Sequence, residues 1–476
     1  MRLPDGFTSR MNGFFDRAGI SGAGFEESFD KEPLKGIRIN RQKAEEVDYP
    51  GILSSLGLSA DPVTWCDGGF YDTNESSGND PYYHAGVYYP QEPSAMLPAQ
   101  VLSAVPGDRV LDLCAAPGGK ACRLGEDLKG EGLLIANEIN ATRAKALLRN
   151  IERMGIGNAV ILNETPEKLA GRFKGFFDKI LLDVPCSGEG MFRRDPNAVR
   201  SWERFGPDTC MPIQEEILEC AHRMLRSGGE LVYSTCTFFE GEDEDQILKF
   251  LERHPGYKVI SHPEIKGVTH CGEEGILPGS MRIWPHLSRG DGHFCVHLKK
   301  SEEEETETFS LEKLPSYKSK RDDNYGFGKS REAYISFLKE ILKDPPKKID
   351  GFLMHREKIH ILPVNERLFD GLKTVKLGMF PGEIKMTSTE RIFIPSHSLA
   401  LTFKADDIRD DSLLSLKRDD ERLIRYLRGE TIISDEGNLK KKGYLVIAVD
   451  SYPLGFGKIS GDGSVKNMYP KAWRLL

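Results

Sequence analysis

Two cysteines occupy matching places in this chain: Asp183-Val184-Pro185-Cys186-Ser187 and, fifty residues later, Ser234-Thr235-Cys236-Thr237. Each follows an apolar run that reads as a buried strand, Lys179-Ile180-Leu181-Leu182 and Glu230-Leu231-Val232-Tyr233. In an open α/β sheet, the residues just past the carboxyl ends of strands line the ligand crevice. Thiols delivered there are placed to form and break a covalent bond with a substrate. A lone buried cysteine ordinarily behaves as a small hydrophobe, and Cys122, Cys210, Cys220, Cys271 and Cys295 are read that way. Cys186 and Cys236 are read as functional because both close a strand in the same manner.

A second constellation follows another apolar strand: Leu113-Cys114-Ala115-Ala116-Pro117-Gly118-Gly119-Lys120. Small residues and glycines there let backbone amides approach a ligand at the N-terminus of the next helix. The run lacks the Gly-x-Gly-x-x-Gly fingerprint, which excludes a nicotinamide-dependent dehydrogenase, and it lacks the Gly-Lys-Ser/Thr ending of a P-loop. The next strand ends at Asn137-Glu138, where a carboxylate accepts hydrogen bonds from both hydroxyls of a ribose. The pair suggests an adenosine-containing cofactor without a pyrophosphate, and S-adenosylmethionine fits.

The elements that carry these residues alternate. Strands are predicted at Arg109–Leu113, Gly132–Ala136, Ala159–Leu162, the two cysteine strands and Phe294–Leu298, with amphipathic helices such as Ala141–Met154 and Pro212–Leu225 between them. This alternation predicts an α/β, mostly parallel, doubly wound sheet over residues 96–300. Residues 1–95 read as a small α+β domain. Residues 301–330 read as a polar linker, with Glu302–Glu305 and the charged run Lys318–Asp323 as solvated surface. Residues 331–476 read as β-rich, with a hairpin formed by Tyr444–Asp450 and Pro453–Lys458.

Composition narrows the function classes. The 476 residues carry a net charge of −8, 39% hydrophobic and 29% charged residues. No apolar run is long enough for a membrane span, and the start lacks the apolar core of a signal peptide. Nine cysteines without a Cys-x-x-Cys pair predict neither a disulfide framework nor a metal site, which places the chain in a reducing cytoplasm. The acidic balance argues against a generic polyanion binder. From Lys440 onward, however, Lys440, Lys441, Lys442, Lys458, Lys466, Lys471 and Arg474 outnumber Asp450 and Asp462, so a basic module there can track phosphates.

Leu111-Asp112-Leu113-Cys114 through Lys120, Asp183 through Gly190, and Tyr233-Ser234-Thr235-Cys236-Thr237 together resemble the RNA 5-methylcytosine methyltransferases of the Nol/Nop/Sun type. Among these the resemblance is greatest to the bacterial enzymes of 16S ribosomal RNA. It extends to Tyr89–Met96, Arg282–His286, Gly292–Phe294, Pro395–Ala400 and Lys466–Lys471. It implies a Rossmann-like S-adenosylmethionine-dependent sheet, a ferredoxin-like RNA-binding N-terminal domain and a C-terminal PUA-like RNA-binding module. It also implies cofactor contacts from Cys114, Ala115, Ala116, Pro117, Gly118, Gly119, Lys120, Glu138 and Asp183. Where the family often has an adenine-contacting Asp, this chain has Asn163-Glu164-Thr165-Pro166, and Thr165 stands at the equivalent spacing.

The chemistry wants two thiols. Carbon 5 of cytosine is too poor a nucleophile to take a methyl group directly, and a thiolate added at carbon 6 moves electron density onto it. The carbon 5 proton and the thiolate must then leave. The residues alone do not say which cysteine attacks. The resemblance assigns attack to Cys236 and release to Cys186, the reverse of DNA cytosine enzymes. Asp183 is placed to meet the N3/N4 edge of cytosine, and the Lys120 charge favours a thiolate nearby. Arg193 and Arg194 are expected to meet RNA phosphates. The reading is therefore an RNA cytosine-C5 methyltransferase of 16S ribosomal RNA or its small-subunit particle, with no membrane or DNA partner. A transfer-RNA enzyme and a non-catalytic ribosome assembly factor are the alternatives.

Overall fold

The computed structural model describes residues 3–4, 6–72, 80–304, 309–313, 327–387, 390–434 and 436–475. The charged run Lys318–Asp323 lies outside the described residues. Helix α1 (Phe7–Ala18) precedes an antiparallel sheet of β1 (Lys35–Ile39), β2 (Gly69–Asp72) and β3 (Tyr88–Pro90), in the order β2-β1-β3. Among the described residues this sheet has three strands, where a ferredoxin-like domain has four.

The central sheet is built on five parallel strands, β4 (Arg109–Asp112), β5 (Leu133–Asn137), β6 (Ala159–Leu162), β7 (Phe177–Asp183) and β8 (Leu225–Thr235). Their order, β6-β5-β4-β7-β8, reverses direction between β4 and β7. That is where a doubly wound sheet opens its crevice. The strands read as continuous apolar runs because both faces are covered. Leu111, Ile135, Val160 and Leu182 pack into one layer, and Val110, Leu134, Ile161 and Leu181 into the other. The covering helices are α2 (Gly119–Asp127), α3 (Ala141–Arg153), α4 (Pro166–Arg172), α5 (Pro196–Met224, broken at Gly206) and α6 (Glu244–Arg253). In α3 the Asn140 side chain caps the amides of Thr142 and Arg143, while Ala144, Leu147 and Ile151 form the buried stripe.

Past β8 the sheet turns antiparallel. Strand β9 (Tyr257–Val259) and then β10 (Thr269–His270), β11 (Met281–Ile283) and β12 (His293–Lys300) complete that side, with β12 paired to β8, β9 and β11. Helix α7 (Phe327–Ile341) begins inside the expected linker. The rest forms two sheets. One holds β13 (Phe352–His355), β14 (Lys358–Ile361), β16 (Met379–Met386) and β17 (Arg391–Pro395). The other holds β18 (Leu413–Leu416), β19 (Ile432–Ile433), β20 (Gly443–Val449), β21 (Tyr452–Ile459) and β22 (Ser464–Asn467), and its β20–β21 pair is the hairpin expected from sequence.

Two couplings cross the expected boundaries. Strand β15 (Thr374–Leu377) leaves the C-terminal region and pairs antiparallel with β6, so the central sheet is not confined to residues 96–300. The N-terminal sheet and the last sheet also share one core, in which Ile37, Ile39 and Leu53 pack with Leu414, Leu445 and Ile447. A buried ion pair ties β1 to α2. Arg38 Nη1 lies 2.5 Å from Glu126 Oε2, with side chains 1% and 0% exposed, and Arg38 Nη2 donates to the Gly119 carbonyl. Arg38→Ala strands the Glu126 charge in the interior and should destabilise the protein by about 3–5 kcal/mol, read as a lowered denaturant midpoint. Replacing both partners with apolar residues of similar volume should recover most of that loss.

Candidate active site

Register places the chemistry. Asp183 at the end of β7 lies beside Ser234 near the end of β8, and Ser234 Oγ donates to Asp183 Oδ1 at 3.0 Å. Both chains then leave the sheet, and the two sulfurs Cys186 Sγ and Cys236 Sγ meet at 3.3 Å as free thiols. The close approach needs a glycine. Gly190 N donates to the Cys236 carbonyl at 2.9 Å, and a Cβ at Gly190 would lie 3.0–3.2 Å from three backbone carbonyl oxygens.

The surroundings of the two sulfurs differ. Lys120, on the first turn of α2, sets its Nζ 2.7 Å from Asp183 Oδ2. Burial opposes the lysine charge, but Asp183, Asp112 and the Cys236 thiol together outweigh it and raise the Lys120 pKa. Asp183 is likewise opposed by burial, yet Lys120 and the nearby His293 hold it well below the usual carboxylate range. A third of its side chain remains exposed. On the other side, the Cys186 thiol is pushed well up by its contact with the Cys236 sulfur, by burial and by the Glu242 carboxylate. An ammonium attends one thiol and a carboxylate the other.

The loop after β4 leads into α2. Ala115, Ala116, Gly118 and Gly119 are buried, Cys114 is half-buried and Pro117 is exposed. Gly118 adopts φ +120, a conformation that L side chains rarely take, at the entry to α2. Asp112, quoted above only as part of a motif, is 1% exposed and neither carboxylate oxygen has a hydrogen-bond partner. Burial and the neighbouring Asp183 push it up to about 8. Glu138 at the end of β5 is 3% exposed; one oxygen accepts from Asn140 N at 2.8 Å and the other lies 3.4 Å from Arg143 Nη1. Thr165 is exposed, and its Oγ1 caps α4 through Lys168 N, so the hydroxyl is committed to the helix.

One expectation changes. Arg193 and Arg194 do not face solvent phosphates: both bind the buried Asp291, at 2.5 Å each, and donate further to the carbonyls of Gly290 and Leu34. Their charges are spent on anchoring the Cys186 loop. The residues that sequence reasoning missed are Glu242, Asp243 and His293. The acidic run Glu240–Asp245 sits where carboxylates ordinarily favour a helix start, and only the register between β12 and β8 brings His293 to Asp183. Of the cysteines read as packing residues, Cys122, Cys220 and Cys295 are buried, while Cys210 and Cys271 are half-buried.

Comparison with known proteins agrees along the chain. Residues 99–299 match the 16S rRNA methyltransferase RsmB/F family, residues 3–93 the N-terminal domain of 16S rRNA methyltransferase RsmF, and residues 414–475 the methyltransferase RsmF PUA domain. Ribosomal RNA small subunit methyltransferase F of Shewanella amazonensis is 30% identical over 453 residues, covering 92% of this chain and 91% of that one. Its namesake from Escherichia coli O157:H7 is 27% identical, covering 98% and 96%. The crystal structure of a methyltransferase homolog protein from Pyrococcus horikoshii is 26% identical with a TM-score of 0.51, covering 60% of this chain and 94% of that one. With both thiol loops, the cofactor loop and the flanking domains in place, this chain belongs to the ribosomal RNA small subunit methyltransferase F family.

Proposed function

We propose that this protein methylates carbon 5 of a cytosine in 16S ribosomal RNA within the cytoplasm, with the small-subunit particle as the assembled form of the substrate. The observation that carries the mechanism is the 3.3 Å thiol pair in two opposite electrostatic settings. S-adenosylmethionine, when bound, supplies the methyl group. The residues fit such a cation: Asp112 is buried, its oxygens lack partners and burial pushes it up to about 8, so a sulfonium beside it would favour its charged form. The loop from Cys114 to Lys120 would hold it through backbone groups, Glu138 would accept from the ribose hydroxyls, and Thr165 marks the adenine end.

Cys236 attacks as the thiolate. Its sulfur bonds to carbon 6, and the double-bond electrons move toward carbon 5, which takes the methyl group. Asp183, held ionised, accepts from the N4 amine of the base. The carbon 5 proton then passes to water in the crevice, the double bond reforms, and the carbon–sulfur electron pair returns to Cys236. Cys186 donates its S–H to that departing sulfur. The target must leave its stack to reach this depth.

The last sheet is proposed to hold the RNA. Lys458 and Lys466 are directly opposed on β21 and β22, both exposed, and Lys458 Nζ lies 5.2 Å from the Tyr444 ring. Like charges so placed repel, and an RNA phosphate between them relieves the repulsion. Removing residues 440–476 would delete three strands of that sheet, so point changes are the cleaner probe. Lys458→Ala and Lys466→Ala should each reduce the salt slope of RNA binding by about one; an unchanged slope leaves the pair as solvated surface.

At the cofactor, Glu138→Ala should weaken S-adenosylmethionine binding by about 1–3 kcal/mol, and unchanged affinity by calorimetry would reject the ribose role. The thiols give opposite outcomes. Cys236→Ala should lose methyl transfer and form no adduct, whereas Cys186→Ala should transfer the methyl group and then stall as a protein–RNA adduct that survives denaturing electrophoresis. Trapping by the Cys236 variant would reverse the roles. Bisulfite mapping of ribosomal and transfer RNA from a deletion strain should show loss of a 16S methylcytosine with transfer RNA unaltered.

A further inference from the structure

We propose that Glu242 is the positioning residue that registers the two thiol loops and keeps Cys186 in its S–H form, an inference that rests on the two-thiol mechanism above. Glu242 is 0% exposed and stands six residues past Cys236, yet its carboxylate binds the other loop. Ser187, the residue after Cys186, donates its backbone N–H to Oε2 at 2.9 Å and its hydroxyl to Oε1. Gln214 of α5 donates to Oε2 at 2.9 Å with the same amide group that donates to the carbonyl of Pro185, the residue before Cys186. Thr237, the residue after Cys236, meets the Ser187 hydroxyl at 2.8 Å. The glutamate's own backbone is held by Tyr233 Oη, which donates to the Glu242 carbonyl at 2.6 Å.

One carboxylate thus fixes the residues on both sides of Cys186 and, through Ser187, the residue after Cys236. All three donors to it are neutral, so its charge is uncancelled locally. The charged and titratable groups around it are Glu189 on the Cys186 loop, Asp243 beside it, Cys210 on α5, Tyr233 on β8 and Cys186 itself. The nearby guanidinium groups are spent elsewhere: Arg10 on Glu189, Arg282 on Asp243 and Glu244. A buried negative charge beside a thiol disfavours the thiolate. Cys186 therefore keeps the proton that the departing Cys236 sulfur needs as a hydrogen-bond donor. Burial and Glu189 raise the Glu242 pKa, and the donors from Ser187 and Gln214 oppose that shift.

The test reads the thiol directly and needs no RNA. Alkylation of Cys186 by iodoacetamide, followed by peptide mass mapping across pH, should shift its midpoint down by about one unit in Glu242→Gln, a tenfold gain in thiolate fraction. An unshifted midpoint in a folded variant with normal cofactor affinity would overturn the electrostatic role. Ser187→Ala, which keeps the backbone donor but cuts the link to Thr237, gives the second arm: methyl transfer should persist while release slows, seen as a longer-lived adduct with RNA. Normal release in Ser187→Ala would overturn the registering role. Should the native protein itself form no adduct, the covalent reading fails while the alkylation result still stands or falls alone.

Discussion

Two sulfurs held 3.3 Å apart at the ends of adjacent parallel strands stay there only if each loop is fixed by something other than the thiols. A free thiol is a weak hydrogen-bonding group, so it cannot bring two strand-end loops into register by itself. The surrounding structure supplies that fixation in layers. Below the thiols, the Asp183–Ser234 register and the bond between their side chains align β7 with β8. Beside them, the buried Glu189 accepts from Phe238 N, Trp202 Nε1 and Arg10, joining the Cys186 loop to the Cys236 loop and both to α1. Above, Asp291 gathers Arg193 and Arg194.

This explains why the N-terminal helix is built as it is. Phe7, Met11, Phe14 and Phe15 of α1 pack with Phe192, Phe238 and Trp284, aromatic residues from the two thiol loops and from the end of β11. The helix closes over the loops that carry the proposed chemistry. Combined with the core shared by the N-terminal and C-terminal sheets, the flanking domains hold the crevice in one shape.

The central sheet was legible because its strands are buried on both faces and read as plain apolar runs. The thiols, the glycine turn and Glu138 were legible because each follows such a run. What sequence could not reveal was pairing at a distance. Strand β15 is short and half polar, and nothing local says that it will cap β6. Arg193 and Arg194 look like phosphate ligands until Asp291, a hundred residues away in sequence, is placed between them. Glu242 sits in an acidic run whose neighbours belong at a helix start, and its partner Ser187 is supplied only by the fold.

In the proposed reaction, strand order sets where the base lies. The proposed cofactor residues follow β4 and β5, the thiols follow β7 and β8, and the reversal between β4 and β7 puts Asp183 at the boundary. A methyl donor on one side and a nucleophile on the other must meet over that carboxylate. In the proposed reaction a charged Asp183 offers the exocyclic amine of cytosine a strong acceptor. Lys120 and His293 maintain that charge against the burial that has pushed Asp112, next door on β4, up to about 8. Two aspartates on neighbouring strands thus hold opposite protonation tendencies, and the one with the ammonium partner is the one left facing the crevice.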